Sequence, residues 1–277
     1  MTDAKQATTL VLAGTGKTGR RVAARLGARG VPVRIGSRKA EPSFDWHDET
    51  TWTPALAGAD SVYLAYYPDA GFPGAAAVIG AFAHEAVRSG VHRLVLLADR
   101  GAAEAERAEQ AVRDSGAEWT VVRAGFITQN FGEEFLADAI RHGVVALPAG
   151  DVAEPFLDAD DIADVAVAAL TQDGHTGRTH ELTGPRLLTF AEAIHEIAAA
   201  TGRTIRYQPV TSEQFESTMI DHGAPAEYSA SLSGLLAEVF DGRRARTTND
   251  VEQVLARPPK DLTDYVRETA PTGIWIA

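Results

Sequence analysis

Cysteine is missing from this 277-residue chain. Disulfides and thiolate nucleophiles are thereby excluded, and a reducing setting, the cytoplasm, is the expected compartment. Basic residues are in deficit: 26 Lys and Arg against 38 Asp and Glu, a formal net charge of -12. A polyanion is repelled by such a surface. The densest basic cluster, Arg243, Arg244 and Arg246, is short and flanked by Asp241 and Asp250, so direct nucleic-acid binding is not expected. No apolar run approaches the length of a membrane span, and the opening MTDAKQATT lacks the apolar core of a signal peptide. Internal repeats and low-complexity linkers are lacking too. What is present, 45% hydrophobic and 23% charged residues, is the composition of a globular protein with one large domain or two unequal ones.

The first half alternates two textures. The runs TTLVLAG, VPVRIGS, SVYLAYY, VHRLVLLA and EWTVVRA read as strands, and Ala-rich stretches of helical period lie between them. One helix should place Val22, Leu26 and Arg29 on a single face, and the next Val78, Phe82 and Val87; AEAERAEQAVRDSG is a third. Gly30, Gly90 and Gly116 stand where these helices should end. The order predicts a doubly wound, parallel α/β sheet of Rossmann type. The second half predicts a helix after EPFLDAD capped by Asp158 or Asp160, a strand at RTHELTGP, and a helix from Thr189 with a capping box to Glu192. Further helices are expected around 211–222 and 225–240. The expected division is a nucleotide-binding domain over 1–184, with strands near 155 and 180 returning to its sheet, and a smaller, mostly helical lobe over 185–277.

Gly14-Thr15-Gly16-Lys17-Thr18-Gly19 matches G-x-G-x-x-G between a predicted strand and a predicted helix, the setting in which the motif points to a dinucleotide. The first glycine permits the turn, the second brings backbone to the pyrophosphate, and the third lets helix pack on strand. A P-loop is excluded, because two of the residues it needs between its glycines are missing. The second strand ends in Ser37-Arg38-Lys39, where an acid would select NAD. A guanidinium suits the 2′-phosphate of NADP, with Lys39 adding a point charge.

Taken together, LAGTGKTGRRVA, FDWHDETTW, EWTVVRAGFITQNF, PFLDADDIADVA and LTGPRLLTFAEA resemble the NmrA-like family, an atypical branch of the short-chain dehydrogenase/reductases. The resemblance runs from about 8 to 275. It implies a Rossmann domain with a C-terminal lobe, a pocket between them and a preference for NADPH/NADP. It also implies either a reductase or a redox sensor that binds the dinucleotide without turnover. Carried over by motif, Asp45 and Trp46 end a third strand near the adenine. Tyr66, Tyr67 and Pro68 follow a fourth and line the cofactor cleft, and Ala98 and Asp99 follow a fifth. Gly125, Phe126, Gln129 and Asn130 follow a sixth and approach the nicotinamide.

The Tyr-x-x-x-Lys pair of ordinary short-chain dehydrogenases is absent. The lysines are Lys5, Lys17, Lys39 and Lys260, and none lies four residues after a tyrosine. One reading is an NADPH-dependent reductase of a small acceptor (a quinone, an imine or iminium, an activated carbonyl or alkene). Tyr66, Tyr67, Asp99, Asn130 or a pocket histidine would orient that acceptor. The alternative is a non-catalytic NADP(H) sensor. His195-Glu196 lacks the second histidine of a zinc site, and Asp158, Asp160, Asp161 and Asp164 lack the glycine and terminal glutamate of a calcium loop, so no metal is expected. The acceptor is not named by the sequence; Met219, Ile220, Tyr228, Leu232, Leu235 and Leu236 are candidate pocket residues. A monomer or a homodimer acting on a small molecule, away from membranes, is the expectation.

Overall fold

The computed structural model describes residues 8–133 and 135–276. Its strands are β1 (Thr8–Leu12), β2 (Val33–Gly36), β3 (Ala59–Leu64), β4 (Arg93–Asp99), β5 (Glu118–Ala124), β6 (Val144–Leu147), β7 (Ala153–Glu154), β8 (Arg178–Leu182), β9 (Leu188–Thr189) and β10 (Arg206–Pro209). Its helices are α1 (Gly19–Ala28), α2 (Trp52–Leu56), α3 (Ala75–Arg88), α4 (Ala103–Arg113), α5 (Asn130–Glu133), α6 (Phe135–Arg141), α7 (Ala159–Thr171), α8 (Phe190–Thr201), α9 (Ser212–Asp221), α10 (Ala226–Val239), α11 (Asp250–Leu255) and α12 (Leu262–Thr269).

The chain divides into two compact units. The first runs to Asp99 and takes in Ala103–Arg123 and Asp160–Glu181. The second takes Arg100–Ala102, Ala124–Ala159 and the chain from Leu182 onward. A boundary at 184 would leave 124–159 with the first unit.

The sheet has the order β2-β1-β3-β4-β5-β8 among the described residues, with β1 parallel to β2 and β3, and β3 parallel to β4. Leu10, Val11 and Leu12 are wholly buried, as are Val62, Tyr63 and Leu64 opposite them, which is why these runs read as continuous apolar strands. After β2 the order steps to the other side of β1, so the crevice at the carboxyl ends of β1 and β3 is the topological switch point. Gly30, Gly90 and Gly116 take φ of 72°, 90° and 87°, the left-handed conformation that ends a helix.

Several expectations need correction. No third strand ends at Asp45 and Trp46: a single antiparallel bridge joins Asp45 to Asp48. The backbone there is used locally. Thr51 Oγ1 accepts from the Asp45 N–H at 3.0 Å, and the Asp45 carbonyl accepts from Trp52 Nε1 at 2.9 Å. Pro42 has no N–H to offer. Among the described residues the Rossmann order therefore lacks its outermost strand, and β3, β4 and β5 stand one place earlier than the resemblance implies. Ala98 and Asp99 lie inside β4 rather than after it. On α1, Val22 and Leu26 are buried but Arg29 is an exposed C-cap; on α3 the buried face is Ala75, Ile79, Phe82, Ala83 and Ala86, with Val78 and Val87 turned partly away. The strand near 180 joins the sheet as β8, whereas the one near 155, β7, pairs antiparallel with β9.

The second unit packs around phenylalanine. Phe126, Phe131, Phe156, Phe190 and Phe240 meet ring to ring, with centroids of Phe126 and Phe190 5.1 Å apart and those of Phe156 and Phe190 also 5.1 Å apart. Trp275 closes this core and donates Nε1–H to the Phe131 carbonyl at 2.7 Å. The Thr189–Glu192 capping box forms, and Thr211 makes a second with Gln214.

Candidate dinucleotide and acceptor site

The glycine loop is built by contact. A Cβ on Gly14 would lie 2.8 Å from Ile35 Cδ1 and 2.9 Å from the Val11 carbonyl, so the turn can cross toward β2 only as glycine. A Cβ on Gly19 would lie 2.2 Å from the Ala13 carbonyl oxygen, which fixes how closely α1 approaches the loop. Gly16 is less crowded, at 3.2 Å, and Thr15 beside it is exposed; Gly16 N–H donates to the Ala13 carbonyl at 2.8 Å. The first turn of α1 carries no acidic residue, so its positive end is left for an anion. Lys17 is half-buried, and its carbonyl accepts from Arg21. Thr18 is buried.

At the tip of β2, the Ser37 carbonyl accepts from the N–H groups of Ala40 and Phe44 at 3.1 and 2.9 Å, which folds the chain back on itself. Arg38 and Lys39 are exposed there, and neither has a side-chain partner among the described residues. Asp45 is half-buried and Trp46 buried, its ring packed on Phe44, Tyr66 and Phe82 at 5.0–5.1 Å.

Past β3, Tyr66 is half-buried, and burial with the nearby Glu104 carboxylate raises its phenol pKa. Tyr67 is 63% exposed. Ala98 is buried. Asp99 is pushed well above the usual carboxylate range by burial of its carboxyl and by the adjoining Asp69 carboxyl, with which it shares a hydrogen bond. Asp69 also accepts the Gly71 N–H at 2.8 Å. Asp69 carries no signal in the sequence, because only its pairing with Asp99 marks it.

In the second unit, Gly125 and Phe126 are half-buried, and a Cβ on Gly125 would lie 3.8 Å from the Pro155 carbonyl. Phe126 belongs largely to the phenylalanine core. Gln129 is buried and used at both ends of its amide: Nε2 donates to Asp158 at 2.9 Å, and Oε1 accepts from the Ala159 N–H at 2.7 Å. Asn130 is half-buried and opens α5. Glu154 is 5% exposed and carried no signal in the sequence.

The other candidates have ordinary roles. Asp160 and Asp164 hold Arg25, at 2.8 and 2.6 Å, and Asp158 faces Lys260 at 3.6 Å. His142 and His222 are exposed, each with a ring nitrogen on the carbonyl four residues back. Ile220 and Tyr228 are exposed, whereas Leu235 and Leu236 are buried. Among the described residues no group of three or more His, Cys, Asp or Glu could hold a metal ion, and no helix is long and apolar enough to cross a membrane.

Residues 13–173 match the NAD(P)H-binding family and residues 103–267 the NmrA-like family. The chain is 33% identical to an uncharacterized oxidoreductase, YesF, of Bacillus subtilis over 98% of this chain and 99% of that protein. It is 32% identical to an NAD(P)H azoreductase of Xenophilus azovorans over 88% of this chain and 85% of that one. Among solved structures, an NADPH-dependent quinone oxidoreductase of Escherichia coli, complexed with NADPH, superposes with a TM-score of 0.75 at 21% identity, covering 94% of this chain and 99% of that one. That likeness speaks for the fold.

Proposed function

The chain is an NAD(P)H-dependent oxidoreductase belonging to the NmrA-like family, and from that premise we propose that it draws hydride from NADPH to reduce small organic acceptors with N=N, C=N⁺ or conjugated C=O unsaturation. The observation that carries the choice of cofactor is Arg38, exposed and unpartnered at the tip of β2 where an acid would select NAD. The choice of acceptor is supported by the azoreductase relative.

The residues present fit the dinucleotide. The Gly14–Gly19 loop, through backbone N–H groups other than that of Gly16, and the start of α1 would hold its diphosphate; Ser37, Arg38 and Lys39 would hold the 2′-phosphate. Asp45, Trp46 and Tyr66 would border the adenosine side, and Ala98, Gly125 and Phe126 the nicotinamide. When bound, the reduced nicotinamide supplies hydride. Tyr66, Tyr67 and Asp99 of the first unit, and Asn130 of the second, would orient the acceptor. Bringing donor and acceptor carbons together is itself worth about 7–11 kcal/mol of barrier, so an electron-poor acceptor needs little further help. The test is NADPH oxidation followed by absorbance against azo dyes, quinones, an iminium and an enone. Turnover with at least one class is expected; tight NADPH binding with a flat trace for all of them would make the protein a sensor.

A further inference from the structure

Reducing an azo group or a quinone consumes a proton as well as a hydride, and no Tyr-x-x-x-Lys pair supplies it. The remaining candidates are buried carboxyl groups, of which Asp161 already has a partner. Glu109 is clamped by Arg113 and Arg123. Asp158 is held by Gln129 and faces Lys260. Asp99 shares its proton with Asp69. Glu154 differs: it is 5% exposed and its carboxyl has no hydrogen bond or ion pair among the described residues.

Its surroundings are defined within the second unit. The next residue, Pro155, turns its carbonyl toward Gly125 and accepts the Gly184 N–H at 3.0 Å. Leu157 N–H donates to the Phe126 carbonyl at 3.0 Å, and a parallel bridge joins Ile127 to Leu157. The Arg100 N–H donates to the Ala124 carbonyl at 2.9 Å. Glu154 thus directly precedes Pro155–Leu157, the run that packs along 125–127, and Gly125 and Phe126 are the residues proposed to border the nicotinamide. β9 sets Leu188 opposite Glu154 and Thr189 opposite Ala153, neither of them charged. The charged group that bears on Glu154 is Arg100, buried, with its guanidinium donating to the carbonyls of Arg244 and Arg246. That cation is anchored by backbone and does not depend on the carboxylate.

We propose that Glu154 is the acid that protonates the acceptor as hydride arrives, with Arg100 placed to steady the carboxylate left behind. The inference rests on the reductase reading and on the placement of Gly125 and Phe126. For an azo acceptor, hydride forms one N–H bond and the π pair moves to the second nitrogen, which takes the Glu154 proton. The product is the hydrazo compound, and water reprotonates Glu154. Burial lifts the pKa of this carboxyl to about 7, with Arg100 pulling it down, so the acid form is present at neutral pH and is lost above it.

A triphenylmethane dye cation separates the two transfers, because hydride at its central carbon completes the reduction without a proton. NADPH oxidation by wild type, Glu154→Gln and Asp99→Asn is followed with an azo dye and with this cation from pH 5.5 to 9. Glu154→Gln should slow the azo dye by roughly 100-fold or more, at least tenfold more than the cation. The wild-type azo rate should fall as pH rises through about 7, and the variant should lose that descending limb. Equal losses on both acceptors would make Glu154 a structural residue. A limb that survives in Glu154→Gln and disappears in Asp99→Asn would move the acid to the Asp69–Asp99 pair; either result overturns the proposal alone. A wild type idle with both but active on a quinone or an enone overturns this proposal alone; one idle with those as well overturns the reductase reading and this one with it.

Discussion

Each unit buries a glutamate, and the two are treated in opposite ways. Glu109, wholly inaccessible on α4, receives Arg123 Nε at 2.7 Å, Arg123 Nη2 at 2.6 Å and Arg113 Nη2 at 2.8 Å. Arg113 comes from the same helix face four residues on, and Arg123 from β5. Glu154 is almost as deeply buried and has a fixed cation in range but no hydrogen bond. Burial alone therefore does not separate a carboxylate that holds a fold together from one left to react; partnering does. Closed groups should answer to substitution in stability, and open ones in binding or rate.

The largest effect should fall on the closed side. Glu109→Ala leaves two guanidinium groups without their shared partner and should cost about 3–5 kcal/mol of unfolding free energy in urea titration at pH 7. A loss under about 1 kcal/mol would break the comparison, since the clamp would then not be structural. Gly19 is closed by backbone rather than by charge. Gly19→Ala puts a methyl 2.2 Å from the Ala13 carbonyl and should cost about 1–3 kcal/mol and weaken NADPH binding. Gly27 on the same helix has nothing within 4 Å of a built Cβ. Gly27→Ala should hold or raise the melting temperature, because alanine suits a helix better by roughly 0.5–1 kcal/mol. Calorimetric melting of the pair, side by side, checks the contrast.

Arg38 lies on the open side. Arg38→Ala should leave stability within about 0.5 kcal/mol. It should narrow the preference for NADPH over NADH by roughly tenfold, about 1.4 kcal/mol, read as the ratio of Kd values. A preference that survives intact would place the 2′-phosphate elsewhere.

The same division explains how much the sequence made legible. The glycine loop was readable because backbone crowding at Gly14 and Gly19 demands one residue type at fixed spacing. The central strands were readable because burial on both faces leaves unbroken apolar runs. The strand expected before Asp45 failed because Thr51 and Trp52, several residues downstream, take up the backbone groups an edge strand needs. The strand near 155 was recognised but given the wrong partner: a two-residue pairing with β9 depends on the course of another segment. Glu154 and Asp69 were invisible for a related reason. A carboxylate in a sequence looks solvated until the fold removes its water, and nothing in EPFLDAD or YYPDAG states which acid loses it.

The smallest effect tests whether closure without burial matters. Asp261 is as well partnered as Glu109: Arg186 donates to it through Nε at 2.7 Å and Nη2 at 2.8 Å, and the Thr263 N–H at the start of α12 donates at 2.8 Å. Its pKa falls to about 2, chiefly through the Arg186 hydrogen bonds, from an ordinary 3.8. A depressed carboxyl contributes stability above 3.8 that is lost as pH drops toward 2, because the unfolded chain takes up its proton first. Arg186 is 40% exposed, so solvent screening limits the contribution to at most about 1 kcal/mol. Asp261→Asn keeps an N-cap on α12 and removes the charge together with one of the two oxygens that accept from Arg186. Its deficit in unfolding free energy should be present at pH 7 and shrink between pH 4 and pH 2. A deficit as large as that of Glu109→Ala would mean that partnering outweighs burial, and a deficit unchanged at pH 2 would assign it to the cap rather than to the charge.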